Sequence, residues 1–127
     1  MTDAATRRAV RERAGNRCEY CRLTQFDSVH ALQIEHIRPK KHRGSDELGN
    51  LALACIDCNL AKASNITGFD PETDQITELF NPRRDNWSDH FEWQGRYILG
   101  RTAIGRTTIV VLELNSEERI RLRAADH

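Results

Sequence analysis

The chain has 127 residues, of which 39% are hydrophobic, 6% are aromatic and 30% are charged. This length and composition predict one domain with a small core, and a small core usually needs a further constraint. No apolar run is long enough to cross a bilayer, and the N-terminal stretch lacks a signal peptide's apolar centre, so we expect a soluble, cytoplasmic protein without a membrane partner.

The formal net charge is zero, yet the charges are unevenly spread along the chain. Arginines dominate the first 22 residues, and a second group of cations follows at Arg38, Lys40, Lys41 and Arg43. The stretch over 70–78 is acidic. A basic face beside a site would give a moderate, salt-sensitive affinity for nucleic acid, although a charge run is more often only a solvated face.

The first predicted element is a helix over 4–14, which is rich in Ala and Arg and contains neither Gly nor Pro. Thr2 or Asp3 can cap its start, and Gly15 is placed to end it. The following turn carries Cys18 and Cys21, whose close spacing lets two thiolates meet one ion.

A strand is predicted within Val29–Ile37, where polar residues interrupt apolar ones and Pro39 argues against a helix. A charged, Gly-containing loop over 39–49 leads to a second, apolar strand over 51–54. A helix then begins near 56–58 and continues through Lys62. These elements form a ββα unit.

The C-terminal half contains turn signals at glycine and proline residues, with candidate strands over 75–80 and 96–99. Thr102 can cap a helix that runs through Leu114, although a β-branched run over 107–111 weakens that prediction. Ser116, followed by two glutamates, opens a last helix. The two tryptophans, Trp87 and Trp93, are expected to be packing residues rather than platforms for stacked bases.

The four cysteines form two CxxC pairs, Cys18 with Cys21 and Cys55 with Cys58. In a reducing cytosol such pairs hold a metal more often than they form disulfides. Four thiolates complete the tetrahedral shell of Zn²⁺ and leave no open position, so the predicted zinc is structural. The alternatives are four reduced cysteines without a ligand and a dithiol redox pair. Two CxxC pairs separated by a single hairpin favour a zinc site over both alternatives.

Residues suited to phosphodiester hydrolysis lie within the ββα unit. A neutral imidazole can take a proton from water near neutral pH, which makes His36 the candidate general base. Glu35 and Asn59 offer the hard oxygen ligands that Mg²⁺ or Mn²⁺ prefers, and such a cation stabilises the leaving 3′ oxygen. Because neighbours on a strand point to opposite faces, Glu35 and His36 can address one point only at an irregularity or a strand end.

Each of these residues also has an ordinary structural interpretation. A single histidine on a strand is more often a hydrogen-bonded structural residue, and a glutamate beside it is more often a solvated charge. Asn50 can be a turn residue after Gly49, and Asn59 can simply occupy the first turn of a helix. Taken one by one, these structural interpretations are favoured over catalysis.

Four motifs together resemble those of the HNH endonuclease family: Cys18-x-x-Cys21, Glu35-His36-Ile37-x-Pro39, Gly49-Asn50-Leu51 and Cys55-x-x-Cys58-Asn59-x-x-Lys62. The similarity is to the branch with two zinc knuckles and Asn at the third signature position. It implies a small α+β fold built on a zinc-stapled ββα-metal (His-Me finger) nuclease core with flanking helices and short strands. We therefore expect a single HNH nuclease domain over 1–127, with a core over 16–66 and a C-terminal extension over 67–127.

The match to the spacing of this family favours catalysis over the separate structural interpretations, and the same resemblance implies roles for individual residues. It makes His36 the general base in DNA cleavage, and Glu35 and Asn59 the ligands of the catalytic Mg²⁺ or Mn²⁺. Asn50 is then not a ligand but bonds backbone across the loop and orients the base. Asn59 in place of a third histidine disfavours a soft catalytic metal.

DNA is the expected partner, and the sequence carries no signal for an oligomeric state. The candidate contacts to phosphates that flank the scissile bond are Arg38, Lys40, Lys41, Arg43 and Lys62, with Arg83 and Arg84 as weaker candidates. Such contacts position a duplex without reading its sequence. The alternatives are a non-catalytic zinc module that binds nucleic acid or a partner protein, and an accessory nuclease within a larger DNA-processing machine.

Overall fold

The computed structural model describes residues 2–123, and in this part of the chain short strands pair as two-stranded antiparallel ribbons between helices. Helix α1 spans Ala4–Ala14. The Asp3 carboxylate accepts from the backbone N–H of Thr6 at its start, and Gly15 adopts a left-handed conformation at its end. Both ends of the predicted helix are confirmed.

The ββα unit consists of β1 (Gln33–His36), β2 (Leu51–Ala54) and α2 (Ile56–Lys62). The strands are antiparallel, with His36 opposite Leu51. Strand β1 is shorter than predicted because the Gln25 side chain bonds the backbone of His30 and Leu32, which takes these residues out of a strand ladder. All four residues of β2 are buried, so this strand is the centre of the unit.

The loop between the two strands contains two short 3-10 helices, Lys40–His42 and Leu48–Asn50. Gly44 packs against the chain just after β1, where an added Cβ would lie 1.6 Å from the Arg38 carbonyl oxygen. Only glycine allows this approach. The loop is therefore folded back onto the end of β1.

The C-terminal half forms two further ribbons and three helices, which are β3 (Thr67–Phe69), β4 (Ile76–Glu78), α3 (Trp87–His90), β5 (Phe91–Gln94), β6 (Tyr97–Gly100), α4 (Ala103–Leu112) and α5 (Glu117–Leu122). The β-branched run does not break α4, since Thr107 and Thr108 are fully buried and packing outweighs their low helix propensity. Sequence patterns missed β3, α3 and β5. Gly68 is a turn signal in the sequence, but in the structure it lies within β3. Its lack of a side chain lets Val111 and Thr107 of α4 pack closely against the strand.

One hydrophobic core joins the zinc-knuckle region to the C-terminal half. Tyr20, Phe80, Phe91 and Trp87 form a chain of ring contacts with centroid distances of 5.1–6.3 Å. The Trp87 indole N–H also donates to the Tyr20 carbonyl oxygen at 2.8 Å. The expectation that Trp87 is a core residue is confirmed.

No helix within residues 2–123 is long and apolar enough to span a membrane.

Candidate active site and zinc site

The four cysteines meet at one buried point, with their sulfur atoms all within 4.8 Å of one another. The Sγ atoms of Cys21 and Cys55 are 3.7 Å apart. Tetrahedral Zn²⁺ with Zn–S bonds of about 2.3 Å separates its sulfur ligands by about 3.8 Å, so the cluster has the dimensions of a zinc site. The predicted four-cysteine cluster is confirmed.

Each cysteine pair is folded as a knuckle, in which a backbone N–H points at a thiol three residues earlier. The N–H of Cys21 lies 3.4 Å from Cys18 Sγ, and the N–H of Cys58 lies 3.4 Å from Cys55 Sγ. Burial raises the pKa of the Cys18 and Cys58 thiols. An incoming zinc ion must therefore displace protons, which makes zinc affinity increase with pH.

A cation from the C-terminal helix reaches the cluster. Arg119 in α5 is 5% exposed, and its Nη1 donates to Cys58 Sγ at 3.1 Å. Four thiolates and one Zn²⁺ carry a formal charge of −2, which a neighbouring guanidinium partly offsets. No local pattern indicates this contact, because 61 residues separate Arg119 from Cys58.

His36 is the last residue of β1, and its partly exposed ring faces the loop. Its Nε2 lies 2.7 Å from Asp46 Oδ1, and Lys40 Nζ lies 2.9 Å from the same carboxylate. Within residues 2–123, Nδ1 of His36 has no hydrogen-bond partner. We did not identify Asp46 from the sequence, since a single acid in a charged loop carries no pattern.

Asn50 braces the loop at the end of β1. Its Oδ1 accepts from the Arg38 N–H at 2.8 Å, and its Nδ2 donates to the carbonyl oxygens of Arg38 and Ser45 at 3.0 and 2.8 Å. Its own carbonyl oxygen accepts from the Ile37 N–H. The side chain thus fixes the backbone that leaves His36, while a role for Asn50 in catalysis stays a prediction.

Glu35 points away from His36 into the core and is 4% exposed. The Tyr20 hydroxyl donates to Oε2 at 2.8 Å, and Lys62 Nζ lies 2.7 Å from Oε1. Burial raises the pKa of Glu35, and the Lys62 ammonium opposes that rise. The buried carboxylate is therefore already paired with a cation.

Lys62 itself requires a correction. We expected it to contact phosphates, but its side chain is 2% exposed. Besides the ion pair with Glu35, its Nζ donates to the carbonyl oxygens of Ile37 and His36 at 3.0 and 3.4 Å. Lys62 is therefore a buried structural residue that holds the end of β1 against α2.

Asn59 lies on α2, and its Nδ2 donates to Gln33 Oε1 at 2.6 Å. Side chains alternate along β1, so Gln33 and Glu35 lie on the face opposite His36. This face is turned toward α2, and the two predicted cation ligands, Glu35 and Asn59, therefore lie on the α2 side of the strand. In this arrangement the Lys62 ammonium pairs with the Glu35 carboxylate, at the place that a divalent cation would take. A cation can reach Glu35 only if Lys62 withdraws.

The cations that follow His36 are on the surface: Arg38, Lys40, Lys41 and Arg43 are exposed. Arg83 and Arg84 instead pair with acids, Arg83 with Glu19 and Arg84 with Glu78 and Asp85. The basic loop, defined as residues 38–43, therefore provides the exposed positive charge beside His36.

Comparisons with known proteins agree with this architecture. The HNH endonuclease family model matches residues 18–65, from the first knuckle to just beyond α2. The chain is also similar to the Septu protein PtuB of Bacillus thuringiensis, with 27% identity over 114 residues. That alignment covers 88% of this chain but 42% of PtuB, so the chain spans less than half of its relative.

No solved structure gives a significant match to the chain. The family match nevertheless covers both cysteine pairs, the ββα unit and His36, and the described fold of this segment is that of a ββα-metal domain. Residues 18–65 therefore match the HNH endonuclease family model and have its ββα arrangement, in a form that carries a four-cysteine cluster suited to a metal.

Proposed function

We propose that the protein is a divalent-cation-dependent endonuclease that hydrolyses phosphodiester bonds in DNA, with His36 as its general base. The HNH segment supports a nuclease-type function. The observation that carries the finer proposal is the partly exposed His36 ring, held by Asp46 at the end of β1 beside the exposed basic loop.

In the proposed reaction, His36 removes a proton from water as the water oxygen bonds to phosphorus. The bond from phosphorus to the 3′ oxygen then breaks, and the leaving oxygen acquires a proton from solvent. Nδ1 is the ring nitrogen that takes the proton, since Nε2 is engaged by Asp46. Asn50 keeps the ring in place through the backbone of residues 37–38.

A bound Mg²⁺ or Mn²⁺ would stabilise charge on the phosphate and on the leaving oxygen. Asn59, through its Oδ1, is the accessible candidate ligand. Glu35 joins it only when Lys62 leaves the carboxylate. A Zn²⁺ held by the four cysteines would have no open position and would take no part in the reaction.

The basic loop is the proposed contact for phosphates on either side of the scissile bond. Its side chains are long and exposed, so they reach the backbone of a duplex without reading bases. Binding is then driven by release of counterions and weakens with salt.

The direct test is relaxation of supercoiled plasmid by zinc-loaded protein with Mg²⁺, with Mn²⁺ or with EDTA. We expect cation-dependent relaxation in the wild type and a loss of about 10²- to 10⁴-fold in His36→Ala, the usual contribution of a general base. His42→Ala is the matched control, because His42 lies on the same loop but bonds the Ser64 carbonyl oxygen. Equal cleavage by His36→Ala and wild type would remove His36 from the mechanism.

A second candidate function is a non-catalytic zinc module that binds nucleic acid through the basic loop. The ion pair of Glu35 with Lys62 favours it, because this pair closes the carboxylate to a catalytic cation. The same assay separates the two functions. A protein that shifts plasmid mobility and leaves it intact with every cation supports the binding module.

A further inference from the structure

We infer that Asp46 is a positioning residue for His36, which holds the ring through Nε2 and directs Nδ1 at the attacking water. The inference deepens the proposed function and rests on it. The two side chains meet at 2.7 Å, although ten residues separate them in the chain.

The position of Asp46 is set by the braced loop. Asn50 accepts from and donates to Arg38, and the same side chain donates to the carbonyl oxygen of Ser45, directly before Asp46. Gly44 is packed against the Arg38 carbonyl on the other side. The backbone that carries the carboxylate is therefore tied to the backbone that carries His36.

The charged neighbours of the pair suit this role. The Asp46 carboxylate receives Nε2–H of His36 on one oxygen and the Lys40 ammonium at 2.9 Å, so it is bound from two sides. A carboxylate acceptor keeps the proton of the neutral ring on Nε2 and leaves the lone pair on Nδ1. The Asp46 side chain is partly exposed, but both contacts restrict its rotation.

During the proposed reaction the proton from water moves to Nδ1, and His36 becomes an imidazolium. Asp46 remains a carboxylate throughout and faces the new positive charge, which stabilises the ring as the base is used. When the proton returns to solvent, the ring recovers its starting state. Asp46 thus acts through His36 and does not contact the phosphate.

The test measures single-turnover cleavage of a DNA duplex by Asp46→Ala, Asp46→Asn and Asp46→Glu, each with its zinc content and melting temperature. Partners that orient a metal-bound histidine contribute about 10- to 100-fold to activity, and we take this range for the partner of a reacting imidazole. We expect a loss of this size in the single-turnover rate constant at saturating enzyme for Ala and Asn, with the half-saturating enzyme concentration changed by less than about threefold, and partial recovery with Glu. Glu47→Gln is the matched control, since it removes the same charge from the next residue without a bond to His36.

A spectroscopic measurement keeps the inference independent of turnover. In protein labelled with ¹⁵N-histidine, we expect a downfield Nε2–H resonance from His36 that survives Glu47→Gln and disappears in Asp46→Ala. Its presence in Asp46→Ala would show that another group holds the ring and would overturn the inference.

The outcomes also separate this inference from the proposed function. A wild-type protein that cuts no DNA with any cation removes the proposed function and the role of Asp46 with it. Cleavage by the wild type and an equal rate in folded Asp46→Ala overturn the role of Asp46 alone. Recovery of Asp46→Ala by excess Mg²⁺ or Mn²⁺ would make Asp46 a cation ligand and likewise overturn the inference.

Discussion

Two opposite charges, Glu35 and Lys62, are buried side by side beneath the strand that carries His36. Desolvation of such a pair offsets much of its mutual attraction, so the pair adds little net stability. Its effect is geometric instead. Lys62 joins α2 to the carbonyl oxygens of His36 and Ile37, while Tyr20 holds the other oxygen of Glu35.

Removal of one charge from this pair should destabilise the protein strongly. We expect Lys62→Met to lower the free energy of unfolding by about 3–5 kcal/mol, because the Glu35 carboxylate is left buried without a cation. The double variant Glu35→Gln with Lys62→Met should recover most of that loss. Urea denaturation of the zinc-loaded proteins measures both values, and equal stability of the single and double variants would contradict this account.

At the scale of the element, α5 adds a contact to the zinc cluster that no motif includes. Its Arg119 is buried against Cys58 Sγ and lies 3.9 Å from Asp57. The helix has six residues and is too short to be stable alone. The negative charge of a zinc-loaded cluster therefore helps to hold α5 in place.

We predict that Arg119→Met speeds the loss of zinc to a chromogenic chelator and exposes α5 to limited proteolysis. The reason is that the dianionic cluster loses its buried counter-charge. Arg121→Met is the matched control, since Arg121 is exposed on the same helix and pairs with Glu117. Zinc release at the same rate in both variants would show that Arg119 is a packing residue.

Sequence patterns predicted the elements whose local signals agree with their packing. Helix α1 has a cap at each end, and the knuckles place Cys55 at the start of α2, so these elements were found at their observed bounds. Strands β3 and β5 and helix α3 were missed because three or four residues carry too little periodicity. Burial of Lys62 and the pairing of Asp46 with His36 depend on contacts across 25 and 10 residues, which local patterns do not encode.

At the scale of the whole molecule, a net charge of zero coexists with a local concentration of exposed cations beside His36. Since the net charge is zero, the proposed affinity for DNA depends on local groups of cations, of which the basic loop lies beside His36. Part of the negative charge of the C-terminal half is neutralised by ion pairs, such as the pair of Asp70 with Arg106. This arrangement predicts weak, local and salt-sensitive binding.

We predict that the double variant Lys41→Gln with Arg43→Gln reduces the slope of log Kd against log salt by about 1.8, from about 0.9 for each lost phosphate contact. Fluorescence anisotropy of a labelled duplex over a range of NaCl concentrations measures the slope. Arg101→Gln with Arg121→Gln is the control, because both residues are exposed in the C-terminal half. An equal reduction in the two double variants would show that binding follows overall charge.

The bond from the Trp87 indole to the Tyr20 carbonyl has an optical consequence. Tyr20 lies between Cys18 and Cys21, and the second tryptophan of the chain, Trp93, lies 5.4 Å from Trp87 between ring centroids. Both indoles are therefore coupled to the first zinc knuckle. We expect loosening of the knuckle to expose Trp87 to water and to move its emission to longer wavelength, which would make the indole an intrinsic fluorescent reporter of zinc loading.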